Sequence, residues 1–324
     1  MRAHAGTVMY TCVIVLGPTA CGKTALAVRL ADALNGEILS ADSRQVYRAL
    51  DIGSGKDLDE FNLTGEDGSV HPVPYHLIDI ASLPAEYSVF DYQRDFYRAF
   101  ADTVSRGKLP VVAGGTGMYL DAVVRGYDLV QVPTNEALRA RLAGRSMEEL
   151  AAYLLNLKPE LHNSTDLTER HRLLRAIEIE EFSQSGDAQI LKASLPPRPN
   201  IEPLILGTTF PRDVLRKNIT KRLRSRLKDG MIDEVRRIYE SGVEWQRLER
   251  LGLEYRFIAE YLQGKIPSED ELFRTLNIAI GQFAKRQETW FRGMERKGVR
   301  IYWLSPGTVE QRFAQAMQIV SSCG

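Results

Sequence analysis

Apolar positions fall in two patterns that alternate through the first third of the chain. Short apolar-rich runs at 12–16, 37–40, 75–80 and 109–113 read as strands. Between them, residues 22–34 and 88–106 space their apolar side chains for one face of a helix. Strands and helices alternating in this way predict a parallel α/β sheet flanked by helices. The stretch from Asp51 to about residue 70 is rich in small and polar residues and reads as a loop.

The rhythm changes near residue 129. Val132-Pro133 breaks the alternation, and 135–182 read as short helices with no strand among them. Pro196-Pro197-Arg198-Pro199 closes this stretch as a stiff linker. Leu204-Ile205-Leu206-Gly207 returns to the sheet, and a long helical region starts at Pro211. Residues 268–292 read as a further helix and 300–304 as a last strand. The predicted organisation is a core beginning with 1–128, an all-helical insertion at 129–199, and a return to the core at 200–324 with C-terminal helices.

One turn in this pattern carries chemistry. Gly17-Pro18-Thr19-Ala20-Cys21-Gly22-Lys23-Thr24 follows the first strand and opens the first helix, fitting G-x-x-x-x-G-K-[ST]. The end glycines let the backbone curl so that its N–H groups point inward at a phosphate chain. The helix adds its positive end, Lys23 a mobile charge, and Thr24 a hydroxyl for Mg²⁺. The fold expected is therefore of the P-loop NTPase type. Cys21, beside Lys23 at a helix N-terminus, is expected to be a reactive thiol.

Ligands of an open α/β sheet sit beyond the carboxyl ends of its strands. Asp42 and Gln45, after the second strand, and Gly114-Gly115-Thr116-Gly117, after the fourth, share that rim with the phosphate loop. Asp42 fits a helix cap equally well. Asp79 ends an apolar run as a Mg²⁺-binding aspartate would, and His76 reads as a structural histidine. On 212–228, Leu215, Ile219, Leu223 and Leu227 make an apolar stripe. Lys217, Lys221, Arg224 and Lys228 make a basic one, by itself a solvated face.

Composition narrows the setting. In 324 residues, 42 lysines and arginines balance 42 aspartates and glutamates, so any basic surface for nucleic acid is local. The three cysteines form no metal or disulfide pattern, which fits a reducing compartment. The first ten residues lack the apolar core of a signal peptide, and no apolar run approaches membrane-spanning length. A cytoplasmic protein that engages no membrane is expected.

Taken together, the motifs resemble those of the bacterial tRNA dimethylallyltransferases. The match lies in the phosphate loop, Ser40-Ala41-Asp42-Ser43-Arg44-Gln45-Val46-Tyr47, Asp51-Ile52-Gly53 and His76-Leu77-Ile78-Asp79. It continues through Gly114-Gly115-Thr116-Gly117-Met118-Tyr119, Arg175-Ala176-Ile177-Glu178 and Phe283-Ala284-Lys285-Arg286-Gln287-x-x-Trp290-Phe291-Arg292, nearly the whole chain. The resemblance implies transfer of a dimethylallyl group from its diphosphate to the exocyclic amine of the adenosine 3′ to the anticodon of tRNA. It implies Asp42 as general base, Thr24 with Mg²⁺ and Arg286 at the diphosphate, and residues 17–24 as its cradle. Asp42, Ser43, Arg44 and Gln45 would meet the acceptor nucleotide, and Thr116 and Arg139 would line the channel where the two substrates meet. Arg172 and Arg175 of the insertion would grip the anticodon stem-loop with the basic stripe, in a protein expected to act as a monomer.

Three departures stand out: Cys21 where serine is usual, Ser54 where threonine is usual, and Gly252-Leu253-Glu254-Tyr255-Arg256 in place of a Gly-Tyr-Lys/Arg turn. Three rival readings share parts of the pattern. An isopentenyltransferase for free adenine nucleotides would need neither the insertion nor the basic helices. A small-molecule kinase would share only the phosphate loop. A tRNA-binding protein with a vestigial loop has no use for intact Lys23, Thr24, Asp42 and Arg286.

Overall fold

The structure is a computed structural model that describes residues 10–65, 67–159, 167, 169–193, 195 and 197–323. The readings placed on the residues before Tyr10 and on Pro196 lie outside the described residues. In chain order the strands are β1 (Cys12–Leu16), β2 (Gly36–Ala41), β3 (Asn62–Thr64), β4 (Val70–Pro72), β5 (Tyr75–His76), β6 (Leu109–Gly114), β7 (Pro203–Gly207) and β8 (Tyr302–Trp303). Six of them form one sheet in the order β5-β2-β6-β1-β7-β8, every neighbouring pair parallel. β1 lies inside it, with Val13 opposite both Val111 and Leu204.

The first helices are α1 (Lys23–Ala33), α2 (Val89–Ser105) and α3 (Gly117–Arg125). Then come α4 (Glu136–Leu142), α5 (Met147–Leu157), α6 (Arg170–Ser183) and α7 (Gly186–Ala193). The later ones are α8 (Arg212–Lys228), α9 (Met231–Glu240), α10 (Trp245–Glu249), α11 (Leu253–Leu262), α12 (Glu269–Arg296) and α13 (Val309–Cys323). The alternation along β1 decides which helices cover which face. Val13 and Val15 pack with Leu26, Leu30 and Ala316 of α1 and α13, whereas Cys12, Ile14 and Leu16 pack with Phe96, Leu120 and Phe291 of α2, α3 and α12. Burial on both faces is why β1 and β2 read as apolar runs rather than alternating ones. A separate apolar layer joins α8, α9, α11 and α12 to Val46, Tyr47 and Leu50.

Two compact units result. One runs to Gly126 and resumes at Pro199; the other, Tyr127–Arg198, is built of α4 to α7 around Leu138, Leu150, Leu154, Leu173 and Ile177. No helix among the described residues is long and apolar enough to cross a membrane.

Three expectations change. The strand read at 75–80 stops after His76, because Leu77 (φ 66°) and Asp79 (φ 56°) turn left-handed. The Asp79 and Ile80 N–H groups then bond the carbonyls of Gln45 and Val46. Asp79 is no metal ligand here: its carboxylate meets Lys56 Nζ at 2.6 Å, and that buried ammonium also meets Asp51 at 2.5 Å. The loop expected up to residue 70 contains the antiparallel pair β3–β4, closed over Gly65 to Gly68 and too short to show a period. His76 is structural as expected, its Nε2 lying 2.7 Å from buried Glu37, which also binds Arg106.

Candidate active site

The phosphate loop leaves β1 beside the turns that follow β6 and β7. Gly22, at φ 70°, supplies the left-handed turn into α1 that a side chain would resist. Thr19 N–H donates to Gln287 Oε1 at 2.9 Å, and Gln287 Nε2 donates to the Gly115 carbonyl at 2.8 Å. One amide on α12 thus ties the two glycine-rich turns together. A Cβ on Gly115 would stand 2.6 Å from Gln287 Nε2, so the close approach requires glycine there. Lys23 Nζ folds back toward the Pro18 carbonyl at 3.4 Å, and Thr24 follows on the first turn of α1.

The arginine on the Thr19 side of this loop is Arg222. It donates to Thr19 Oγ1, and burial, with Arg226 nearby, draws its pKa down to about 10. Arg226, one turn on, pairs with Asp57 at 3.1 Å. Neither stood out in the sequence. The signal was there, since 222 and 226 are four apart and flank the apolar stripe of α8, but the exposed lysines share that spacing. Arg286 is placed elsewhere: it is exposed on α12, its guanidinium 5.8 Å from the Phe283 ring centre. Consecutive helical residues point about 100° apart, and it is Gln287 that faces the loop.

Cys21 is a correction. Its side chain is 1% exposed and packs in the helical apolar layer; burial pushes the thiol pKa up against the opposing pull of Lys23, Arg312 and Arg222. The reactive thiol expected at this position is not what the fold builds.

Further along the rim, Asp42 leaves β2, two strands from β1 with β6 between them. At about 4.8 Å per strand, Asp42 and Gly17 stand about 10 Å apart along the rim. No helix follows Asp42; the chain turns through 43–46, and Asp42 Oδ1 accepts from the Arg44 N–H at 2.9 Å. The helix-cap alternative therefore falls. Ser43 N–H donates to Thr116 Oγ1 at 3.0 Å and Thr116 N–H to the Ala41 carbonyl at 3.2 Å, locking the turns after β2 and β6 together. The Gln45 amide is occupied inside the protein, accepting from Ser40 Oγ and donating to the Gly55 carbonyl, both at 3.0 Å.

Buried Glu234 of α9 steadies this rim from below. Its carboxylate accepts from the N–H groups of Asp51, Ile52 and Gly53 at 3.1, 2.6 and 3.1 Å, and from Tyr255 Oη at 2.9 Å. Within the helical unit, Glu178 is the hub. Arg139 Nε meets it at 2.6 Å and Arg175 Nη1 at 3.0 Å, while Arg175 Nη2 bonds the Val132 carbonyl at 2.7 Å. Burial alone would raise the pKa of Glu178, yet the two arginines hold it below the usual range. Arg172 is exposed and pairs only loosely with Glu169, at 3.4 Å.

Residues 45–294 match the model of the IPP transferase family, and 10–65 that of isopentenyl transferases. The chain belongs to the IPP transferase family. It is 53% identical over 294 residues to tRNA dimethylallyltransferase 2 of Treponema denticola, covering 90% of this chain and 95% of that one. To tRNA dimethylallyltransferase 1 of Syntrophus aciditrophicus it is 52% identical over 296 residues, 91% and 94% of the two chains. The crystal structure of the full-length tRNA isopentenylpyrophosphate transferase of Bacillus halodurans superposes with a TM-score of 0.65 at 29% identity, covering 97% and 98%. A eukaryotic dimethylallyltransferase acting on tRNA shares the fold, with a TM-score of 0.68 at 21% identity over 95% and 76%.

In this IPP transferase the turn at 252–256 lies beside Asp42's neighbour Arg44. Tyr255 there is buried on Glu234, and Gly252, at φ 127°, opens the space in which Arg44 lies: a Cβ would stand 2.9 Å from Arg44 Nε. Glu254 shares a small cavity with Arg222 and Arg226, and burial raises its pKa. The turn supports the rim around Asp42 through Tyr255 and Gly252, and its Arg256 is exposed.

Proposed function

We propose that this IPP transferase moves a dimethylallyl group from dimethylallyl diphosphate to the exocyclic N6 amine of the adenosine 3′ to the anticodon of tRNA, releasing diphosphate. The observation that carries this reading is the placement of Asp42 and the phosphate loop on one rim, two strands apart, with Thr116 and Gly115 between them. The phosphate loop, residues 17–24, cradles the diphosphate. Lys23 and Arg222 face the oxygens on which negative charge grows as the bond from carbon to oxygen breaks. The amine nitrogen forms the new bond to that carbon, and Asp42 takes the proton it sheds. Arg222, rather than Arg286, is the arginine of this step.

The donor set fits a magnesium ion held mainly by substrate. Among the described residues no group of three histidine, cysteine, aspartate or glutamate side chains is placed to hold a metal. Thr24 offers one neutral hydroxyl beside the diphosphate, and Mg²⁺ commonly binds through phosphates, water and few protein ligands. Bound there, the ion supplies charge neutralisation to the leaving diphosphate.

The tRNA reading draws on the relatives' names and on the basic face of α8. Lys217, Lys221, Arg224 and Lys228 are all exposed, as is Arg172 of the helical unit. These cations contact phosphates and position the stem-loop without reading it. Ser43 and Arg44 meet the flipped base and Gln45 shapes the turn that carries them, while Arg139 and Arg175 shape the helical unit through Glu178. The site is complete within one chain, which acts as a monomer in the cytoplasm.

The test pairs labelled dimethylallyl diphosphate with unmodified tRNA. Label is expected in the adenosine beside the anticodon, and Asp42→Asn is expected to slow transfer about 10²–10⁴-fold while sparing diphosphate binding. Near-normal turnover in that variant, or transfer to AMP in preference to stem-loop RNA, would overturn the reading.

A further inference from the structure

Arg312 lies on α13, beyond residues 45–294 of the family match, and no motif singles it out. It is 3% exposed. Its Nη1 donates to the Cys21 carbonyl at 2.6 Å and to Thr208 Oγ1 at 2.7 Å, and its guanidinium lies 5.1 Å from the Phe210 ring centre. A Cβ on Gly22 would stand 3.1 Å from Nη2, so the arginine reaches the back of the phosphate loop itself.

With the Thr308 carbonyl, which accepts from Nε at 3.4 Å, all three acceptors are neutral oxygens. Glu310, the acid on the same helix, turns instead to Arg29 at 3.0 Å. A buried cation without a counter-ion is unfavourable, and burial draws the pKa of Arg312 down accordingly. A fold that keeps such a charge beneath a phosphate-binding loop gains from it only once an anion is in place.

We propose that Arg312 is a positioning residue of the diphosphate site, acting from behind the loop. Its first effect is geometric. The C=O and N–H of a trans peptide point in opposite directions. Holding the Cys21 carbonyl against Arg312 therefore turns the Gly22 N–H the other way, toward the diphosphate. Its second effect is electrostatic: a positive charge that no carboxylate contacts is matched when the diphosphate binds. The proposal rests on the diphosphate reading above, and it differs from simple fastening of α13, which would need the hydrogen bonds alone.

The experiment measures, by calorimetry, binding of inorganic pyrophosphate with Mg²⁺ to the full chain and to Arg312→Met and Arg312→Lys, with the thermal midpoint of each with and without pyrophosphate. Arg312→Met is expected to weaken binding about tenfold, the scale of a lost charge-assisted hydrogen bond. Arg312→Lys, which keeps the charge, is expected to weaken it about threefold. The rise in midpoint on adding pyrophosphate shrinks in the same order, and KM for dimethylallyl diphosphate rises while kcat changes little. Unchanged pyrophosphate affinity in Arg312→Met, even with a lowered midpoint, reduces Arg312 to a fastener of α13 and overturns the inference. If Arg312→Met does not fold, Arg312→Lys decides: parental affinity overturns, weaker affinity supports. Failure of the unsubstituted chain to bind pyrophosphate is a separate outcome that overturns the diphosphate reading itself.

Discussion

Arginines are held in opposite ways in the two units of this chain. In the helical unit, Arg139 and Arg175 both grip the buried carboxylate of Glu178, and charge is neutralised inside the protein. In the core, Arg222 and Arg312 lie against the phosphate loop and hydrogen-bond neutral oxygens (Thr19 Oγ1, the Cys21 carbonyl and Thr208 Oγ1), with Glu254 in the cavity beside Arg222 but not bonded to it. A cation given a carboxylate stabilises a shape. One left with neutral oxygens keeps its charge for a ligand. The contrast separates scaffold from site without appeal to any motif.

Removing a core cation puts that separation to its hardest test. Arg222→Gln is expected to lower kcat/KM about 10²–10³-fold, the scale of one lost oxyanion donor. The thermal midpoint should hold or rise, since a desolvated charge is gone. A clear fall in stability with activity retained would break the comparison. Glu178→Gln should behave in the reverse way, destabilising the helical unit by about 1–2 kcal/mol, a value reduced because both arginines are partly exposed. Pyrophosphate binding should not change. The sign with pH follows from the lowered pKa of Glu178. Its contribution is present above the ordinary glutamate pKa and is lost as pH falls through the lowered folded value. Acid should therefore narrow the gap in denaturant midpoint between the parent and Glu178→Gln. The smallest expected effect concerns Cys21. Its buried thiol should resist alkylation near neutral pH, so mass spectrometry should find label on partly exposed Cys323 first. Rapid loss of activity that Cys21→Ser abolishes would show the loop to be more open than its packing indicates.

Local chemistry was legible in the sequence. The phosphate loop, the strands around it and the amphipathic helix at Val89–Ser105 each declare themselves within a dozen residues, the last with a Ser88–Asp91 capping box. What escaped depends on tertiary packing. On α8, two sets of cations share helical spacing, and only the fold decides that 222 and 226 turn inward. On α12, an offset of one residue exchanged Arg286 for Gln287 at the loop. Glu234 lies more than 180 residues from the backbone it holds, so no local pattern could reveal it. The turn at Leu77 and Asp79 was hidden for another reason: leucine does not advertise a positive φ, and aspartate adopts one in only a minority of places.

The contacts that finish the phosphate loop also set a schedule. Thr19 waits for Gln287, 268 residues later, and Cys21 for Arg312, 291 residues later. At translation rates of about 5–20 residues per second, the loop is made on the order of 15–60 seconds before its supports. Throughout that interval a growing chain carries the motif without the geometry. The finished geometry of the loop therefore arrives only when the distant helices dock.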